Sequence, residues 1–284
     1  AVQVVNLPSF LASNAVSVPI GALVTVTGVS VVGDTIIAEP WAHDLATGEV
    51  KRRPHPVTGA SEWWQISRPG HHCGCMAAAP HMLFFRSGTT AFYDLEADFG
   101  TVHFGAHRIG CWINCIPANG VVLAPEASSG CVCPFALHTT VTFAPREDSR
   151  MWGVASAPGP VTPVRRLAVA FGAPGDRRDS RGTLWLAYPR PGSDRLVLQL
   201  PIETTVAPGG GFAFRTVREL EEGDGWVVAS RGLGMTRCVI PVNAAEAAPG
   251  EFTVALHFAE LDGAAPGERV FDVRLQGRTA AEKL

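Results

Sequence analysis

Apolar and polar residues alternate with a period of two along most of this chain, in short runs that end at Gly, Pro, Asn or Asp. A strand exposes successive side chains on opposite faces, so this pattern commits a chain to half-buried β-structure. The runs include Leu23–Val29, Thr35–Ala38, Met82–Arg86, Val121–Ala124, Thr139–Phe143, Leu167–Phe171, Thr183–Tyr188, Arg195–Gln199, Gly225–Ala229, Cys238–Val242, Phe252–Phe258 and Arg269–Gln276. Long stretches with helical period are missing. Short helices are expected only at Val217–Glu221 and Thr279–Leu284. With 30 Gly, 22 Pro and only 17% charged residues, the chain has many turns and few solvated helices. The expected class is all-β.

At 284 residues the chain is long enough for two domains. A net charge of −3 leaves no electrostatic footprint for nucleic acid. No apolar run reaches the length of a membrane span, because Pro19 and Gly21 interrupt the apolar stretch from Ala15 to Val32. No basic leader precedes that stretch, so it does not read as a signal peptide.

Six of the seven cysteines fall in three tight pairs, Cys73 with Cys75, Cys111 with Cys115, and Cys131 with Cys133. An even set at close spacing is a disulfide framework, a metal site or a group of buried thiols. Disulfides require an oxidising compartment, so that reading places the chain outside the cytoplasm. Zinc modules use more regular spacings than these three. Cys238 stands apart and is expected as a buried thiol in its strand.

The first half carries a degenerate repeat: a polar turn, a short apolar strand, a second turn and a second strand. It recurs at roughly 40 to 47 residues, a propeller-blade period. Ala144–Pro163 breaks the pattern with Pro145, Pro158, Pro160 and Pro163 and a charged run from Arg146 to Arg150. Such a segment is expected to be a junction.

Two stretches resemble known families. Arg68-Pro-Gly-His-His-Cys-Gly, Leu83-Phe-Phe-Arg-Ser-Gly-Thr, Gly110-Cys-Trp-Ile-Asn, Ile116-Pro-Ala-Asn-Gly and Cys131-Val-Cys resemble the closing blades of PQQ-like (quinoprotein-type) β-propellers of planctomycete-type surface proteins. Gly182-Thr-Leu-Trp-Leu-Ala-Tyr-Pro-Arg, Trp226-Val-Val-Ala-Ser, Phe252-Thr-Val-Ala-Leu-His-Phe-Ala-Glu and Gly267-Glu-Arg-Val-Phe-Asp-Val-Arg-Leu-Gln-Gly277 are similar to a malectin-like carbohydrate-binding domain. The resemblances imply partial propeller blades over residues 1–148, a linker at 149–163 and a malectin-like β-sandwich of jelly-roll type over 164–284. Measured against such families the chain looks like a piece of a longer surface protein. Beside the blade family's cysteines, Cys75 and Cys115 look like additions, which the resemblance pairs as an extra disulfide.

Sugar binding needs aromatic faces for C–H surfaces and a few orienting polar groups. The malectin-like resemblance implies Trp185, Tyr188, Trp226, Phe258, Glu260 and Asp272, each set against plain core packing. A PQQ cofactor with Ca²⁺ would need a closed funnel and oxygen ligands, for which Glu126, Asn114 and Asn119 are the only offers. The expectation is therefore no cofactor. His71, His72, His81, His103 and His107 lie near the cysteines, but adjacent histidines in a strand point to opposite faces and read as surface or turn residues. Asp176 and Asp179, interleaved with arginines, read as a polar turn. No nucleophile elbow, Walker A or zinc-protease motif occurs, and Glu221-Glu222 sits in a solvated segment.

The function expected from these residues is non-catalytic binding or assembly at a bacterial cell surface. The expected partner is a glycan, another surface protein or a second copy met through open strand edges. The alternatives are the C-terminal part of a PQQ-dependent oxidoreductase and a structural subunit of an extracellular assembly.

Overall fold

The computed structural model describes residues 29–105, 107–110, 115–126, 139–145, 151–192, 196–215, 223–244 and 246–284. The fold is all-β, and the helical structure among the described residues is a single 3-10 turn at Gly225–Val228. Strands β1 (Val29–Val32), β2 (Thr35–Ala38) and β3 (Trp41–Asp44) form an antiparallel meander. Strands β4 (Arg52–Pro54) and β5 (Ser61–Trp63) pair as a ribbon. A second meander follows in β6 (Ala77–Ala79), β7 (Met82–Ser87), β8 (Thr89–Asp94) and β9 (Thr101–His103). A third comprises β10 (Ile116–Ala118), β11 (Val121–Ala124) and β12 (Val141–Phe143). The chain then returns in β13 (Gly153–Val154) to pair with β9, so the second sheet has five strands in the order β13-β9-β8-β7-β6.

Downstream, β14 (Ala168–Phe171), β15 (Arg177–Arg178) and β16 (Leu184–Tyr188) form a mixed sheet in which β16 is central. β14 runs parallel to β16 and β15 antiparallel. β17 (Glu203–Phe214) and β18 (Ser230–Val239) make a long irregular ribbon. β19 (Val273–Leu275) and β20 (Arg278–Ala281) form a hairpin. No sheet closes on itself among the described residues.

Turn chemistry explains two of these hairpins. Asn119 and Gly120 (φ +50° and +76°) both adopt left-handed backbone between β10 and β11. Gln276 and Gly277 (φ +50° and +80°) do the same between β19 and β20. Two consecutive left-handed residues make the tight turn whose twist matches paired strands. This geometry turns Thr279–Leu284, expected as a short helix, into the returning strand β20.

The core is built by alternation. Along β7, Leu83 and Phe85 enter one cluster with Ile37, Ile66 and Tyr93, whereas Phe84 enters another with Ile109, Cys115 and Ala124. Both faces of this sheet are therefore covered. Each large side chain so buried contributes about 1.5–3 kcal/mol. A third cluster joins Val57, Ala155, Val161, Leu186, Leu198 and Ile202.

Several expectations change. Within the segment 149–163, expected as a linker, Gly153–Val154 form β13, and Ala155, Ala157 and Val161 enter that third cluster. Two compact units, Ala1–Pro249 and Gly250–Leu284, make up the chain. Apolar burial and strand pairing across the junction outweigh its proline content. Gly225–Ala229 is a 3-10 turn rather than a strand, with Trp226 buried beneath it. Phe252–Phe258 lies in no strand, and all of its residues are exposed. Val217–Glu221 and most of Leu23–Val29 lie outside the described residues.

One buried polar network ties distant segments of the first unit together. The Arg53 guanidinium donates to the Tyr93 hydroxyl at 3.1 Å, to Asp98 Oδ1 at 2.5 Å and to the Ser156 carbonyl. Tyr93 also donates to Asp98. With its other nitrogens committed, Arg53 offers Glu62 only Nε, at 3.5 Å, and neither Glu62 carboxylate oxygen accepts a hydrogen bond. Burial, reinforced by the Asp98 charge and only partly opposed by Arg53, pushes the Glu62 carboxyl up to about 7. The folded state therefore holds this proton more tightly than the unfolded chain does. The stability contribution is present below the ordinary glutamate value of about 4.3 and is lost as pH rises through about 7. Glu62→Gln is expected to flatten this dependence. Its melting temperature at pH 8 should exceed the parent's by about 2–4 °C, the shift of about 1 kcal/mol in a chain of this size, with little difference at pH 5. Equal melting temperatures for the two proteins at pH 8 would contradict this account.

Candidate functional site

The six residues expected to bind sugar separate into two groups. Trp185 is 9% exposed and its Nε1 donates to Asp179 Oδ2 at 3.1 Å. Trp226 is 2% exposed and stands edge-to-face with Trp185 and Trp152. The Arg177 guanidinium lies 4.8 Å from the Trp226 ring centroid. Tyr188 donates its hydroxyl to the Ile202 carbonyl at 2.8 Å and packs edge-on to Phe171 and Phe212. Trp185 and Trp226 are thus buried within the first unit, and Tyr188 is half-buried among aromatic neighbours.

Phe258, Glu260 and Asp272 lie in the second unit, Gly250–Leu284. The turn Leu261–Glu268 brings two extended segments alongside. Phe258 meets Phe271 with ring centroids 5.2 Å apart, and two residues further toward the turn Glu260 accepts from Arg269 at 2.8 Å. The second contact lies two residues nearer the turn on each flank, as expected of antiparallel neighbours. Arg269 also donates to Asp262 at 3.0 Å, and Glu260 caps the turn by accepting from the Asp262 and Ala264 amides. These amides, with the Arg269 charge, hold the Glu260 carboxyl below the usual carboxylate range. Phe258 is 57% exposed and Phe271 43%. Asp272 accepts from the Lys283 amide at 3.1 Å and so serves the turn end. The result is an open aromatic pair flanked by a carboxylate–guanidinium pair.

Arg269 and Phe271 are absent from the sequence-based set. Their signal was available: an apolar and a charged residue two apart on each side of a glycine-containing turn. Only the turn's register shows that they pair.

Among the described cysteines no disulfide joins Cys73, Cys75, Cys115 or Cys238. Cys111, Cys131 and Cys133 lie outside the described residues, as does Asn114. Cys73 Sγ lies 3.7 Å from an Arg86 guanidinium nitrogen. Burial pushes the Cys115 thiol up to about 12. Cys238, expected as buried, is exposed on β18. His71 and His72 are exposed, while His107 is buried and hydrogen-bonded to Thr90 at 2.8 Å. No group of three or more His, Cys, Asp or Glu side chains among the described residues is placed to hold a metal. Asp176 is fully buried against Arg190, and Asp179 accepts from the Arg181 and Thr183 amides. Both are structural anchors. Glu126 and Asn119 sit at opposite ends of the β10–β12 meander, Asn119 in the tight turn.

These features define an all-β protein with an exposed aromatic and polar cluster near its C-terminus. The family model described as Malectin domain matches residues 243–284, the stretch that contains this cluster. No curated protein and no solved structure matches the chain. No described helix is long and apolar enough to cross a membrane.

Proposed function

We propose that this chain is a non-catalytic, extracytoplasmic glycan-binding protein of a bacterial cell surface, and that Phe258, Phe271, Glu260 and Arg269 form its sugar platform. The observation that carries this reading is the coincidence of the Malectin match with the exposed aromatic pair. A pyranose offers a C–H face that packs on aromatic rings and hydroxyls that bond to a charged pair. Glu260 and Arg269 are already oriented by each other, which lowers the ordering cost of binding. The reading needs no cofactor. The meanders β1–β3, β6–β9 and β10–β12 support a propeller-blade origin for the first half, with the sandwich reading kept for the C-terminal part.

The test is a glycan array followed by calorimetry on the hits. Phe258→Ala and Phe271→Ala are each expected to weaken binding at least about tenfold, the loss of an aromatic contact worth about 1.5 kcal/mol. Unchanged affinity in both variants would remove this platform. Non-reducing peptide mapping addresses the compartment. Six free thiols at Cys73, Cys75, Cys111, Cys115, Cys131 and Cys133 would count against an extracytoplasmic home.

A second reading, assembly with other chains, draws on a separate feature. Phe252, Val254, Leu256 and Phe258 recur every second residue and are all exposed, at 42–57%. An array with no hits, together with a concentration-dependent mass in light scattering, would favour assembly over glycan binding.

A further inference from the structure

The first unit has a cleft of about 460 Å³ with Pro69, His103, Trp152, Pro174, Pro191 and Gly192 among its walls. It lies where the end of β9 and the start of β13 meet two proline turns. Its volume falls in the range of small-molecule sites. We infer that this cleft is a second saccharide site, built for one neutral sugar ring or a disaccharide end and distinct from the C-terminal platform.

No formally charged side chain lines the cleft among the described residues. His103 is held neutral at pH 7 because burial lowers its pKa. The described walls, apolar apart from His103 and backbone groups, suit a neutral ligand. Three proline rings and the Trp152 indole provide apolar surface for C–H faces. Trp152 is itself braced by edge-to-face contacts to Trp226 and Phe214, so it is preorganised. His103 provides the polar component. Ser87 Oγ accepts from the Gly70 amide at 2.8 Å and stands 3.0 Å from His103 Nε2. This hydrogen bond to Ser87 fixes the orientation of the imidazole ring. Apolar walls with a few fixed polar groups match the alternating C–H and O–H surface of a sugar. The choice of ligand class rests on the glycan reading above, whereas the location of the site does not.

Gly192 gives a clean way to fill the cleft. A Cβ there would meet Val197 Cγ2 at 3.6 Å and Pro69 Cβ at 3.8 Å, which are ordinary contacts. Its backbone is not in the left-handed region. Gly192→Leu should fold and occupy the space.

The experiment titrates the full chain with maltose, cellobiose and N,N′-diacetylchitobiose, followed by saturation-transfer NMR and tryptophan fluorescence. The variants are Gly192→Leu, His103→Gln and the Phe258→Ala, Phe271→Ala double replacement, each checked by thermal melting. At least one disaccharide is expected to bind the parent and to perturb the Trp152 indole N–H signal. Gly192→Leu and His103→Gln should each lose about tenfold or more in affinity, the loss of a packed contact or a hydrogen bond, while the double replacement keeps this site. Four results would overturn the inference. One is loss of all binding in the double replacement with none in Gly192→Leu, which would leave the C-terminal glycan reading standing. Another is absence of disaccharide binding to the parent, with that reading then judged by the array. A third is a Trp152 indole signal unmoved at saturation, which needs no variant to fold. The last is binding of a proline-rich peptide, but no sugar, that Gly192→Leu blocks.

Discussion

Asp176→Asn is expected to lower folding stability by about 3–5 kcal/mol, the cost of breaking a buried ion pair from one side. The Asp176 carboxylate is fully buried and takes four hydrogen bonds. Two come from Arg190, at 2.5 and 2.9 Å, and two from the Ala155 and Ala187 amides, at 2.7 and 2.8 Å. Its own backbone pairs with Gly153 in both directions. One side chain thus links β13, the β15 entry and the end of β16. Asparagine keeps the volume but leaves the Arg190 charge buried without a counter-charge, and its amide nitrogen faces donors. Arg190→Met should cost less, because the two amides still hold the carboxylate. Urea denaturation of the parent and both variants would check the order. An Asp176→Asn protein within about 1 kcal/mol of the parent, below the usual cost of a broken buried pair, would show that the carboxylate is not the anchor described.

Gly100→Ala is expected to destabilise the fold by about 2–5 kcal/mol, combining left-handed strain of about 1–2 with overpacking of about 1–3. Gly100 has φ +117°, and a Cβ there would stand 2.3 Å from the Val154 carbonyl. The missing side chain lets β13 approach close enough for Thr101 to pair with Val154. Gly105→Ala is the control. Gly105 has φ +72° and open space around it, so only the strain remains. Equal losses in the two variants, measured by chemical denaturation, would show that the contact with Val154 contributes nothing.

Trp185, Tyr188 and Trp226 carry the residue types that sugar sites use, and their local sequence does not say which way each faces. Trp185 and Trp226 are buried and Tyr188 half-buried, each against a partner of the first unit: Asp179 for Trp185, the Ile202 carbonyl for Tyr188, Trp152 for Trp226. Phe258 and Glu260 were legible as candidates. Their partners Phe271 and Arg269 lie across a turn, so their role appears only once the two segments are aligned. The proline-rich stretch before residue 163 shows the opposite limit. Its composition reads as a junction, yet Gly153 and Val154 find a strand edge at β9 that local chemistry could not announce.

The all-β class is legible in the residues alone. Period-two alternation and short-range turn chemistry, such as Asn119-Gly120 and Gln276-Gly277, act over a few residues and leave only β-structure open. The tertiary structure alone decided which apolar faces meet, where β13 returns, and that Phe258 pairs with Phe271 while Trp226 is buried. Those outcomes depend on contacts between residues far apart in the chain. Their energies come from burial and from pairing of charges in a dry interior, and a local pattern carries no information about which distant partner will supply them.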